Sequence, residues 1–83
     1  MTTDKNEIRA EIAEQVSSSI PDVALDALVR QVALMRDAAG RIETEGAVVL
    51  DAKGNASEHP CIRIEREAGK QVRDWLARYR RRQ

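Results

Sequence analysis

Eighty-three residues carrying 14 Lys and Arg, 14 Asp and Glu and a formal net charge of zero make one small domain, which buries only about 60% of the surface its unfolded chain exposes. Chains this small usually add disulfides, a metal or partner subunits, and one Cys (Cys61) with one His (His59) excludes an intramolecular disulfide and a four-ligand protein zinc site. No apolar run approaches the roughly 20 residues of a membrane span, and Met1 to Asn6 is polar rather than signal-like, so a soluble, cytoplasmic chain without membrane contact is expected.

The first predicted element is a short helix over about 4–17. Asp4 and Glu7 have capping-box spacing, and Ile8, Ile12 and Val16 recur every four residues along one narrow face. Ser17-Ser18-Ser19 ends it. A second helix is predicted over about 21–45, with Ser19 as N-cap, Pro21 in the first turn and Gly46 as the C-terminal cap. Leu25, Leu28, Val32, Met35, Ala39 and Ile42 follow a heptad spacing. A second apolar set, Val23, Ala27, Leu34 and Ala38, falls on roughly the opposite side, and a helix apolar on two faces needs two partners. That set is the candidate subunit interface; its bland alternative is cover by the first helix.

Residues 47–56 form a β-prone tongue or hairpin: Ala47-Val48-Val49-Leu50 is β-prone and Asp51-Ala52-Lys53-Gly54-Asn55 is turn-forming. A third helix is predicted over about 60–81, starting at Pro60 after a His59 that proline holds out of helical geometry. Ile64, Ala68, Val72, Trp75 and Tyr79 make its apolar seam. The fold class expected is therefore all-α, an antiparallel hairpin of two long helices preceded by a short one. Mid-helix Gly40 and Gly69, each costing about 0.8–1 kcal/mol relative to Ala, are read as points of close approach to Met35 or Ile64 of the opposite helix.

Charge divides along the chain. Residues 1–59 hold six Lys and Arg against eleven Asp and Glu, and residues 60–83 hold eight against three. Arg63, Arg66, Lys70, Arg73 and Arg80 lie opposite the apolar seam of the third helix, and Arg81 and Arg82 extend the run into a basic tail over 78–83. Such cations neutralise phosphates irrespective of sequence; the alternatives are a solvated face, or halves that pair with each other. With only Trp75 and Tyr79 as aromatics, a stacking platform for single strands is not expected.

His59 before a proline reads as a capping or turn residue, and Cys61 as a small core position. Glu43 and Glu45, two apart on a helix, do not face each other, and no phosphate-binding glycine loop occurs. No catalytic residue, metal site, cofactor or small-molecule substrate is expected; the chain reads as a non-enzyme.

The order of motifs over about residues 28–79 resembles the phage terminase small subunit of the helical-hairpin type. The carrying residues are Ile42-Glu43-Thr44-Glu45-Gly46, Val48-Val49, Lys53-Gly54-Asn55, Glu58-His59-Pro60, Ile62 to Ala68 and Trp75-Leu76. The resemblance implies a homo-oligomer, usually a ring, that binds viral double-stranded DNA in the host-cell cytoplasm. It further implies a regulator of a large subunit carrying the ATPase and nuclease, in a phage or phage satellite. On this reading residues 1–83 are one helical domain, with 21–81 as an oligomerisation core. The alternative of a different class is a helical adaptor or regulator that binds only protein.

Overall fold

Local chemistry sets the ends of each element in the computed structural model, which describes residues 2–80. The elements are α1 (Lys5–Ala13), α2 (Asp22–Glu45), β1 (Val48–Leu50), β2 (Ala56–Glu58) and α3 (Pro60–Tyr79). The molecule is mostly helical, with the two short strands paired antiparallel between the long helices.

Asp4 caps α1: its carboxylate accepts from the backbone N–H groups of Asn6 (2.8 Å) and Glu7 (3.2 Å), satisfying donors that a helix start leaves orphaned. The reciprocal half of the expected box is replaced, since the Asp4 N–H donates to Thr2 Oγ1 instead. α1 ends at Ala13, four residues short of the expected end at Ser17. The cause is tertiary: the Ser17 N–H donates to the Tyr79 carbonyl at 2.7 Å, and Val16 forms an isolated bridge with Arg80. Continuing the helix would give up that link to the end of α3.

Pro21, not Ser19, stands at the N-cap of α2. Ser19 is used in the preceding turn, where its hydroxyl meets that of Ser17. Gly46 closes α2 as expected, with φ +89° and its N–H on the Ile42 carbonyl.

The tongue is a true hairpin, Val48 opposite Glu58 and Leu50 opposite Ala56. Asp51 organises its loop: one carboxylate oxygen accepts from the N–H groups of Lys53 and Asn55. Gly54 takes the positive φ the turn requires.

The core is where three helices meet. Ile8, Ile12 and Val16 from the α1 segment pack with Leu28, Val29 and Val32 of α2 and Val72 of α3. This geometry corrects the apolar seam of α3. Ile64 is 38% exposed, whereas Ala68, Gly69 and Val72 are buried. With α1 also laid on the α2–α3 pair, the buried arc of α3 turns away from Ile64. Neither mid-helix glycine is required by crowding: a Cβ at Gly69 would make ordinary contact, 3.4 Å from Arg73 and 3.6 Å from Met35 Sδ, and one at Gly40 would meet nothing within 4 Å. Trp75 and Tyr79 stack with centroids 5.7 Å apart and pack against the core.

Candidate functional site

Twenty residues of α3 form a rod whose two sides differ in chemistry. At about 100° per residue, Arg63, Arg66, Lys70 and Arg73 fall within an arc of about 80° opposite the buried Ala68–Val72 side, extending roughly 15 Å along the axis. Glu67 and Asp74 lie at one margin of that arc and Glu65 on the other side, so no carboxylate interrupts it. All four cations are exposed. Arg80, also exposed, follows just beyond α3. Arg81 and Arg82 lie outside the described residues.

Ion pairing separates these cations from those of the acidic part of the chain. Arg36 donates to Glu11 at 2.7 Å, Arg41 to Asp37 at 3.0 Å, and Arg9 to Asp26. Among the described residues, none of Arg63, Arg66, Lys70, Arg73 and Arg80 makes an ion pair. The Arg41 guanidinium, hydrogen-bonded to Asp37, is held above its usual pKa. Two of these pairs, Arg9–Asp26 and Arg36–Glu11, join α1 to α2 and the third lies within α2, while the cations of α3 remain exposed.

The four residues read as a subunit interface separate in the structure. Val23 is 79% and Leu34 45% exposed, Ala27 is half-buried, and Ala38 is 1% exposed inside the chain itself. Only Val23 and Leu34 therefore offer much open apolar surface. Val48 and Leu50 on the tongue, 65% and 72% exposed, escaped sequence reasoning. Their i, i+2 spacing on a strand was the available signal.

His59 caps α3, its Nδ1 accepting from the Cys61 N–H at 2.9 Å while Nε2 faces Glu45 Oε1 at 3.1 Å. With Nδ1 an acceptor, the proton belongs on Nε2, directed at Glu45. The imidazole is buried and both its nitrogens are engaged, Nδ1 in capping α3 and Nε2 in tying that cap to the end of α2. Cys61 is half-buried. Among the described residues no three His, Cys, Asp or Glu side chains are grouped to hold a metal ion, and no helix is long and apolar enough to cross a membrane. What α3 presents is a line of exposed cations, none of them ion-paired among the described residues.

A family model described as phage terminase, small subunit, matches residues 7–79. No curated protein and no solved structure matches the chain.

Proposed function

Since the chain belongs to the phage terminase small-subunit family, we propose that it is the non-catalytic DNA-holding component of a packaging machine, in which copies self-associate, bind viral duplex through α3 and regulate a large ATPase and nuclease subunit. The observation that carries this reading is the uninterrupted line of Arg63, Arg66, Lys70 and Arg73, exposed and unpaired among the described residues. Cations so placed release counterions from the phosphate backbone without reading base sequence. Arg80, Arg81 and Arg82 continue the charge toward the chain end.

Self-association has its own support. The chain exposes 6178 Å², against about 5000 Å² for a compact monomer of this mass. Val23, Leu34, Val48 and Leu50 contribute apolar area to that surface. Repetition of the basic line around an assembly multiplies weak phosphate contacts through avidity.

Titration of generic duplex DNA at low and moderate salt tests the reading. Binding is expected to weaken steeply with salt. The triple change Arg66→Glu, Lys70→Glu, Arg73→Glu should lower affinity and flatten the log–log salt slope by roughly 2 to 3. Unchanged affinity in the triple variant would remove α3 from the DNA interface and favour an adaptor that binds only protein.

A further inference from the structure

Between α2 and α3, toward the tongue, lies an open groove of about 500 Å³ that the basic line does not explain. Its floor is apolar: Met35 and Ala39 from α2, Ile62 and the bare backbone of Gly69 from α3. Its rim carries three guanidinium groups, Arg36, Arg66 and Arg73, against the single carboxylate of Glu65. One stretch further along the same helices, at Val32 and Val72, the seam is covered by α1 through Ile8 and Ile12. There the chain shows what such a seam accepts, an amphipathic helix whose Glu11 pairs with Arg36 at 2.7 Å.

We propose that this groove is a docking site for an acidic amphipathic helix of a partner protein, laid beyond α1 with its apolar side on Met35, Ala39 and Ile62 and its carboxylates on Arg66 and Arg73. Charge complementarity selects the occupant: the Arg36 charge is already met by Glu11, but Arg66 and Arg73 face only Glu65 across the rim, which rejects a basic segment and favours an acidic one. The apolar floor selects protein over nucleic acid, because a phosphate backbone gains nothing from covering Met35 and Ile62. Arg66 and Arg73 belong to both the groove rim and the DNA-facing line, so the two ligands exclude each other. That exclusion, unlike the docking itself, rests on the proposed DNA reading. A partner helix in the groove is then a release signal for duplex held on α3.

The probe is an acetylated synthetic peptide with isoleucine at every fourth position and glutamate and alanine between, added to the full chain carrying labelled Met, Ala and Ile methyl groups. The peptide should shift the Met35, Ala39 and Ile62 resonances and displace a labelled duplex. The pair Arg66→Glu and Arg73→Glu should weaken the peptide about tenfold or more. Ile62→Gln, checked for an intact helical signal, should weaken the peptide while leaving duplex affinity in place. Polyglutamate binding as tightly as the amphipathic peptide, or saturation without shifts at the floor methyls, would overturn the proposal. So would Ile62→Gln weakening duplex binding as much as it weakens the peptide. Peptide binding by a chain that never binds duplex would overturn the DNA reading alone and leave the groove assignment standing.

Discussion

His59 joins three elements through its backbone and one buried ring. Its backbone N–H closes the tongue on the Ala47 carbonyl, its Nδ1 caps α3, and its Nε2 reaches Glu45 at the end of α2. Removing an N-cap side chain costs about 1 kcal/mol, with up to about 2 in proteins. His59→Ala should therefore lower unfolding free energy by about 1–2 kcal/mol in a urea titration. His59→Asn, which restores a capping acceptor, should recover part of that loss. Equal losses in both variants would show that the cap itself contributes little. The glycines give opposite expectations at the same scale. Gly40→Ala places a methyl in open space in an exposed helix and should stabilise by about 0.8–1 kcal/mol. Gly46→Ala forces a side chain onto φ +89° and ψ 154°, a region that costs about 1–3 kcal/mol. Thermal melts of the two variants should move in opposite directions.

At the scale of elements, α1 is the part least able to stand alone. Nine residues are too few for a helix to persist in water, so α1 owes its order to Ile8, Ile12 and the following Val16, all buried in the shared core. Arg36 adds a clamp, reaching Glu11 and the Thr2 carbonyl from α2. Ile8 is fully buried, and Ile8→Ala should cost about 2–5 kcal/mol. Because the same core includes Val72 of α3, that loss should appear as one lowered transition in circular dichroism. A separate early melting of a small helical fraction would show instead that α1 is an independent flap. The tongue differs in kind: a two-stranded hairpin is marginal alone, and this one is held by its Asp51-centred turn and by His59.

The whole molecule is a rod, with extents of 51 × 22 × 21 Å and a radius of gyration of 15.3 Å, against about 12 Å for a compact domain of this length. An elongated chain cannot hide all its aliphatic side chains, and Val23 and Leu34 on α2 lie outside its core. Light scattering is expected to give a mass well above one chain. The pair Val23→Glu and Leu34→Glu should lower that mass while leaving the helical signal intact, because neither side chain contributes to the intramolecular core. A monomeric wild-type chain at tens of micromolar would end the assembly reading.

What the amino-acid order determined by itself was local: the extents of α2 and α3, the caps at Asp4, His59 and Gly46, and the turn around Asp51 and Gly54. Those features rest on hydrogen bonds between near neighbours and on a helical repeat that any segment carries in its own spacing. The line of cations on α3 was legible for the same reason. Relations between distant segments were not. Val16 and Ser17 leave the helix because Tyr79 and Arg80 lie beside them. Ile64 turns outward, Ala38 inward, and the groove at Met35 and Ile62 stays open because α1 covers only part of the seam. Helical spacing says that a residue shares a face with its fourth neighbour, but only the packed third helix decides which of several apolar faces is covered.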